Sequence, residues 1–360
     1  MRNTLNITNF TYVNKKHIKV KSNRRLSMKT DLVIEKFCDL MIERMKAVGT
    51  DWKQPWVTSS FGGSPMNING GHYSGMNDFF LLVNTMMNKF ELPVYATIKQ
   101  INKLGGRVNK GSKSFPVVFW KASYKNEDGK RVDEEDYEAM GRDEQKKYSY
   151  SPFLKSYLVF NLDQTNLAEV APKKVEKLKG QFTKREIAKD TFGMYENAEI
   201  DDMLAMQRWY CPIKYQELSD EAYYKCRSFE IVVPMKTQFK VGDTEQEVYL
   251  SGQRFYDTLI HEMAHSTGHE SLLKRIGGGK YSQAEYAKEE LVAELTAALC
   301  GSVLGFDACI RDDNAKYLEG WCKVLKKEPN FIVSVMSDVS KASKLILEKI
   351  GVGVEVKQEA

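Results

Sequence analysis

The spacing of apolar residues in the first half of the chain predicts two helices, a third short one and two strands. A helix begins near Asp31, with Thr30 as its candidate N-cap, and ends at Gly49. Apolar periodicity predicts the other two helices over residues 77–90 and 95–103. Residues rich in β-branched and aromatic side chains predict strands over 115–121 and 155–161.

The second half is predicted to be mostly helical. One strand is expected over residues 229–234, and amphipathic or apolar helices over 255–266, 286–304, 314–325 and 331–350. The predicted class is therefore α+β, with a small α+β domain followed by a mostly helical domain that contains a small sheet.

Polar and charged stretches predict the domain boundaries. We expect a basic flexible arm, a first domain, a lysine-rich linker without apolar periodicity and a second domain, at residues 1–30, 31–162, 163–185 and 186–355. An acidic insertion at 126–147 is expected inside the first domain. Two domains agree with the length of 360 residues.

Composition narrows the setting in which the chain works. No apolar run approaches the roughly 20 residues that cross a bilayer, and the polar N-terminus lacks the apolar stretch of a secretory signal. The six cysteines form no CxxC pair, which predicts free thiols in a reducing compartment. We therefore expect a cytoplasmic protein with no membrane partner.

Positive charge is concentrated in the first half, although the net charge is only +5. Residues 1–30 contain eight basic side chains and residues 92–126 contain seven, and neither stretch contains an acidic one. Aromatic side chains stack on unpaired bases while lysine and arginine contact phosphates, so this half predicts a nucleic-acid surface. The alternative is that the aromatic residues fill the core. The candidate contacts are Trp56, Tyr73, Lys99, Lys103, Arg107, Lys110, Lys113 and Trp120.

A metal site is predicted in the helix over residues 255–266, which contains His261-Glu262-Met-Ala-His265. Positions i and i+4 share a helix face, so His261 and His265 can bind one ion. A zinc ion activates water as a Lewis acid, and Glu262 is placed to take its proton as the catalytic carboxylate. The alternative is a pair of core histidines with satisfied hydrogen bonds.

A catalytic zinc normally has a third protein ligand. His269 is a poor candidate, because eight residues along a helix is about 12 Å from His261. The metzincin pattern also requires a histidine where Ser271 stands. We therefore place His269 beside the site.

The predicted helix 286–304 offers better ligands, because Glu290 and Glu294 share one face of an apolar helix. Buried carboxylates need a partner. We assign Glu290 as the third ligand and Glu294 as hydrogen-bond acceptor for a ligand histidine, with the reverse assignment left open. Glu289 is expected to face solvent. The strand 229–234 either lies across the cleft as an edge strand or is an ordinary core strand.

Both halves resemble the ArdC-type antirestriction proteins over about residues 31–350. The resemblance is carried first by Pro55-Trp56 through Gly75-Met-Asn77 and by the glycine-containing segment 98–119. It continues with His261-Glu-Met-Ala-His265-Ser-Thr-Gly-His269 and the Glu289–Glu294 segment. Asn77 joins the candidate DNA contacts on this ground.

The resemblance implies an N-terminal domain that binds single-stranded DNA and a C-terminal zincin-like metallopeptidase domain. Such proteins belong to plasmids, conjugative elements or phages and protect incoming DNA from host restriction. This chain differs in the arm 1–30, in the insertion 126–147 and in Ser266, where the family usually has an aromatic residue beside the site. We expect the last difference to bear on substrate preference.

Two other functions remain open. The chain could be a metalloprotease that acts on a host restriction protein or another host protein and uses its basic half for recruitment. It could also bind DNA and hold a metal without catalysis, although a purely structural site has no use for Glu262. Two histidines and a glutamate form a gluzincin-like ligand set that suits zinc best, with manganese or cobalt as alternatives.

Overall fold

The structure is a computed structural model. It describes residues 34–46, 64–121, 123–151, 153–182, 188–276, 282–306 and 318–352, with the backbone alone described at Trp120, Lys121, Phe153 and Leu154. The predicted arm 1–30 and the predicted helix ends near Asp31 and Gly49 lie outside the described residues.

A four-stranded sheet organises the first half. Its strands are β1 (Met66–Asn67), β2 (Val94–Thr97), β3 (Phe115–Lys121) and β7 (Phe153–Asn161), in the order β1-β2-β7-β3. β3 and β7 pair antiparallel, with Phe115 opposite Val159, and β1 lies parallel to β2. The predicted strands 115–121 and 155–161 are confirmed.

Helices cover both faces of this sheet. Alternation in β2 places Tyr95 in a core with α1 (34–46) and α2 (Met76–Met87), and places Val94 and Ala96 in a separate core. The predicted helix 95–103 is wrong at its start. Residues 94–97 form β2, and the helix α3 covers only Ile98–Lys103. Thr97 is the N-cap of α3 and forms a capping box with Gln100, so strand and helix join without a turn.

The expected linker segment is folded and packed. A 3₁₀ turn at Leu162–Gln164 is followed by α6 (Leu167–Val170) and α7 (Pro172–Lys179). Val175 and Leu178 of α7 are buried in the second core of the sheet. The segment therefore differs from an extended connection, and the domain boundaries themselves stay a prediction.

The predicted acidic insertion forms part of a second, three-stranded sheet. Its strands are β4 (Ser123–Asn126), β5 (Arg131–Asp133) and β6 (Tyr148–Tyr150), in the order β5-β4-β6, with the short helices α4 (Glu134–Glu138) and α5 (Arg142–Gln145) between β5 and β6. The rings of Tyr124 and Tyr137 stack at 3.5 Å. The acidic insertion therefore contains regular secondary structure.

The second half contains a small sheet and five helices among its described residues. The strands are β8 (Ile213–Lys214), β9 (Tyr223–Lys225) and β10 (Glu230–Val232), in the order β8-β10-β9. The helices are α8 (Ala198–Ala205), α9 (Glu245–Thr267), α10 (Gln283–Leu304), α11 (Leu318–Lys327) and α12 (Asn330–Ile350). The α+β class is confirmed, and no described helix is long and apolar enough to cross a membrane.

One hydrophobic core joins the two halves. Phe37 of α1 stacks on Phe80 of α2 with ring centroids 4.5 Å apart. The same cluster contains Leu295 of α10, Trp321 of α11 and Val339 of α12. The helices of the second half therefore share one core with α1, α2 and one face of the sheet.

Candidate metal centre and basic surface

Helix α9 positions the first two candidate ligands. Thr244 begins the helix through a capping box with Glu247, and Gly268 ends it. The one-turn spacing brings the Nε2 atoms of His261 and His265 to 3.0 Å from each other.

Helix α10 supplies the third candidate ligand. Glu290 Oε2 lies 3.4 Å from His261 Nε2, and Glu290 Oε1 lies 3.6 Å from His265 Nε2. One ligand atom of each residue lies within 4.8 Å of the other two, so a single ion can contact all three. Two imidazole nitrogens and one carboxylate oxygen fit a divalent metal ion.

The second nitrogen of each imidazole faces another carboxylate. Glu294, which is 1% exposed, directs Oε1 toward His261 Nδ1 at 3.8 Å. Glu289 directs Oε1 toward His265 Nδ1 at 3.5 Å. This geometry suits Glu290 as ligand and Glu294 behind it, and the roles stay predictions.

Glu289 does not face solvent, so that expectation is wrong. Its carboxylate accepts hydrogen bonds from Arg275 Nη2 at 2.8 Å and Nε at 3.1 Å. Arg275 lies 14 residues upstream of Glu289, outside any helical spacing, so no sequence pattern indicated the pair.

The carboxylates change the proton affinity of the site. Burial alone would lower the pKa of His265, but its hydrogen bonds with Glu289 and Glu290 outweigh burial and raise that pKa to about 10. The pKa of Glu290 is lowered well below its usual range, because His261 and His265 outweigh the effect of burial. A metal that binds His265 therefore displaces a proton from it.

A cavity of about 270 Å³ opens onto the cluster and also contains Glu262, which is 3% exposed. Strand β9 and the residues beside it form one wall, and Ile276 and Tyr286 form another. β9 is an edge strand, whereas β10 lies between two neighbours. Of the two alternatives for residues 229–234, the structure favours the core strand, and β9 has the edge position instead.

Two residues singled out near the motif belong neither to the ligand group nor to the cavity lining. His269 stacks on Phe229 with ring centroids 4.0 Å apart, and its Nδ1 is 2.8 Å from Ser271 Oγ. Ser266 is buried, accepts a hydrogen bond from Trp209 Nε1 at 3.0 Å and does not line the cavity. The expected effect of Ser266 on substrate preference has no structural support.

The candidate basic residues form an exposed surface on α3 and the loop after it. None of their side chains has a carboxylate within ion-pair distance among the described residues. Burial lowers the pKa of Lys36 of α1, and repulsion by Lys113 lowers it further. Lys36 therefore lies close enough to Lys113 to extend the group. The residues are Lys99, Lys103, Arg107, Lys110 and Lys113.

Two candidate DNA contacts are interior residues. Tyr73 is 7% exposed and belongs to the shared core. Asn77 donates to Val118 O at 2.7 Å and accepts from Val118 N at 2.9 Å, so its amide completes the free edge of β3. Both side chains are buried in this structure, which gives no support to DNA contacts by these two residues. Trp56 and the Trp120 side chain lie outside the described residues.

Sequence reasoning missed two apolar residues of this surface. Ile98 and Leu158 are 55% and 58% exposed. Leu158 lies on β7 beside Val159, which pairs with Thr97, the residue before Ile98. Both were hidden in the sequence because an exposed position within an apolar run looks the same as a buried one.

Comparison with known proteins identifies the family. A model of the N-terminal domain of anti-restriction factor ArdC matches residues 31–160, and a model of zincin-like metallopeptidases matches residues 202–338. The metal-free crystal structure of the antirestriction ArdC protein from plasmid R388 has a TM-score of 0.61 at 25% identity, over 89% of this chain and 98% of that one. The chain is an ArdC-type protein.

Other proteins share the ArdC-type fold or sequence. The Mn(II)-bound structure of the R388 protein matches with a TM-score of 0.58 at 23% identity, over 87% of this chain and 97% of that one. In Escherichia coli, two proteins named DNA primase TraC are 27% and 28% identical over 320 residues. Those residues are 87% of this chain but 20% and 27% of the two relatives, so the chain spans about a quarter of their length or less.

A third relative is nearer to this chain in length. The uncharacterised protein y4eC of Sinorhizobium fredii (strain NBRC 101917 / NGR234) is 23% identical over 310 residues, 85% of this chain and 88% of its own. The zincin-like match and the three converging ligands together support a divalent metal site in this ArdC-type chain.

Proposed function

We propose that this ArdC-type chain binds single-stranded DNA with its first half, carries a zinc-dependent peptidase site in its second, and protects the incoming DNA of a mobile element from host restriction. The peptidase part rests on the convergence of His261, His265 and Glu290 beside a cavity that contains Glu262. Structural zinc sites usually have four protein ligands, whereas catalytic sites have three and an open position.

Each residue of the site has a proposed role. His261, His265 and Glu290 hold the ion, which would supply Lewis-acid activation of water and of a peptide carbonyl. Glu262 follows the first ligand in sequence and faces the same cavity, so it accepts the proton of the attacking water and returns it to the leaving amine. Glu294 orients His261 from behind.

Strand β9 supports a peptide as the substrate. Its outer edge has no partner strand among the described residues, while its residues Tyr223 and Tyr224 line the cavity. An extended peptide can add to such an edge through backbone hydrogen bonds. A peptide aligned in this way would run along the cavity wall, with its carbonyl groups near the ligand cluster.

The peptidase proposal is tested with Glu262→Gln, which keeps the side chain's shape and removes its base. We expect bound zinc per chain to stay the same and cleavage of fluorescently labelled casein to fall by about 10²–10⁴-fold. His261→Ala is the companion variant, in which bound zinc is lost together with cleavage. Equal cleavage by wild type and Glu262→Gln would contradict the assigned role, and a wild type without bound metal would contradict the site.

The DNA-binding proposal rests on the unpaired basic side chains beside two exposed apolar ones. Five cations that have no carboxylate partner in the described part of the chain attract phosphates, and Ile98 and Leu158 offer an apolar surface for unstacked bases. Bases of a duplex are stacked inside it and cannot reach such a surface. The combination therefore favours a single strand.

Binding is tested by fluorescence anisotropy with a labelled thymidine 30-mer and a duplex of equal length. We expect tighter binding of the single strand. The logarithm of its binding constant should fall by about 0.7 for each phosphate contact when the salt concentration rises tenfold. The double variant Lys99→Ala/Lys103→Ala should lower this slope, whereas the control Lys326→Ala/Lys327→Ala on α11 should not. Identical slopes for both double variants would place the DNA elsewhere.

A cellular assay separates this proposal from a protease that uses its basic half to recruit a protein. Unmodified plasmid DNA is transferred into a restricting host that produces wild type, Glu262→Gln or Lys99→Ala/Lys103→Ala. We expect protection to fall in the lysine variant. Full protection by that variant, with complete loss in Glu262→Gln, would favour proteolysis of a host protein as the protective activity.

A further inference from the structure

Arg275 lies at the junction between the two helices that carry the candidate metal ligands. It follows α9 in a segment that folds back on the helix end, with Ile276 N donating to Gly268 O at 2.8 Å and Leu273 N donating to Thr267 O at 2.9 Å. A Cβ atom at position 268 would lie 2.6 Å from Ile276 Cγ1, so glycine is required for this close return. The return brings Arg275 to within hydrogen-bond distance of both helices.

Each of the three guanidinium nitrogens of Arg275 donates at least one hydrogen bond, and the side chain is 8% exposed. Toward α9, Nη2 donates to Ala264 O at 2.8 Å and Nη1 donates to Thr267 Oγ1 at 2.9 Å. Ala264 O is one of the last four carbonyls of α9, which lack helical partners. Toward α10, Nε and Nη2 bind the two oxygens of Glu289.

Glu289 connects this contact to the ligands in two ways. Its Oε1 is both the acceptor for Arg275 Nη2 and the oxygen that faces His265 Nδ1. Glu289 also directly precedes Glu290 in α10. A fixed Glu289 therefore restricts both the rotation of α10 about its axis and its movement along that axis at the third ligand. The contact therefore acts on a ligand from each helix.

We propose that Arg275 is a positioning residue for the metal centre, which acts through Glu289 to hold His265 and Glu290 in binding geometry. A planar guanidinium binds a carboxylate at two points and stays charged when buried, which lysine does not reproduce. Removal of Arg275 leaves the Glu289 charge beside the ligands without its cation, and a buried carboxylate then seeks other partners. The inference rests on the proposed metal site but not on peptidase activity.

The test measures zinc affinity of the full chain by competition with a chromogenic chelator. Arg275→Met and Glu289→Gln are each expected to weaken zinc binding by about 10–100-fold, the range for residues that orient a metal ligand. Arg275→Lys should recover part of the loss, because it keeps the charge without the two-point contact. Arg208→Met is the matched control, since Arg208 pairs with Asp202 at 2.8 Å and is absent from the cavity lining.

Two further readouts separate positioning from general stability. In the double variant Arg275→Met/Glu289→Gln, the loss of affinity should not exceed that of the weaker-binding single variant, because both changes break one chain of contacts. The visible absorption spectrum of the Co²⁺-loaded protein should change in the Arg275 variants, since it reports ligand geometry. A residue that only stabilises the fold would lower the melting temperature and leave the spectrum and the affinity unchanged.

The outcomes are distinct from those for the proposed function. Wild type that binds no zinc would refute the metal site itself. Wild type that binds zinc, with equal affinity and an equal Co²⁺ spectrum in Arg275→Met, would refute the role of Arg275 alone. If Arg275→Met does not fold, Arg275→Lys and Glu289→Gln decide: zinc affinity equal to wild type in both would overturn the inference.

Discussion

Asp78 is a buried carboxyl group with no cation within ion-pair distance among the described residues. Ser64 Oγ donates to Oδ2 at 3.3 Å, and Oδ1 has no hydrogen-bond partner among the described residues. Burial raises the pKa of Asp78 to about 8, and the hydrogen bond from Ser64 offsets only part of this effect. The folded protein therefore holds a proton that the unfolded chain releases near pH 4.

The sign of the resulting pH dependence follows from the raised pKa. Stability is greatest below the unfolded pKa and falls as the pH rises toward about 8, by about 1.4 kcal/mol per pH unit. Asp78→Asn removes this dependence, so its free energy of unfolding should exceed that of wild type by an amount that grows by about 4 kcal/mol from pH 5 to pH 8. Urea titrations at several pH values measure this difference, with the exposed Asp143→Asn as control; parallel curves for wild type and Asp78→Asn would contradict it.

At the scale of elements, α9 depends on a close approach that only glycine allows. A Cβ atom at position 252 would lie 2.6 Å from Tyr195 O and closer still to Tyr195 N. The same backbone segment is bound to the helix by Tyr195 N, which donates to Tyr249 O at 3.2 Å. Backbone contact on this side therefore fixes the helix that carries two candidate ligands.

The same substitution should have opposite effects in two helices. Alanine is favoured over glycine inside a helix by about 1 kcal/mol. Gly320→Ala in α11 should show a gain of that order, because no atom of the described residues lies within 4 Å of the added Cβ. Gly252→Ala should instead lose about 1–3 kcal/mol, because overpacking against backbone outweighs the propensity. Melting temperatures of the two variants measure both effects, and a stabilised Gly252→Ala would contradict the close approach.

Two of the long helices were predictable from the sequence because their signals are local, whereas α9 begins at Glu245 and not at the predicted residue 255. α10 begins three residues before the predicted start, at the capping box of Ser282 with Glu285, and α12 agrees with its predicted range to within a residue. β2 was misassigned because its strand continues directly into α3 without a turn residue. β9 was not predicted, because a strand of three residues is too short to show an alternation of apolar and polar side chains.

The candidate site was predictable where its residues share a helix and unpredictable where they meet through the fold. His261, His265 and Glu290 follow from i, i+4 spacing and from the cost of a buried carboxylate. The pairing of Arg275 with Glu289 depends on the fold-back after Gly268, which has no local signature. Likewise, the burial of Asn77 follows from the place of β3 at the edge of its sheet.

At the scale of the whole molecule, the shared core makes the two halves one packed unit. Phe80→Ala opens this core and should cost about 3–5 kcal/mol. We expect the urea midpoints for zinc release and for loss of helical circular dichroism to fall together. Leu178→Ala is the control, because no described residue of the second half belongs to its hydrophobic cluster. A fall in only the dichroism midpoint for Phe80→Ala would show that the halves unfold independently.

Helix α10 has two surfaces with different neighbours. One surface directs Glu290 toward the ligand cluster, and another places Leu291 and Leu295 in the core shared with α1 and α2. A metal ion at the ligand cluster and a ligand bound to the first half can therefore each favour one position of the same helix. Thermodynamic reciprocity then requires that any factor by which zinc changes the affinity for DNA equals the factor by which DNA changes the affinity for zinc.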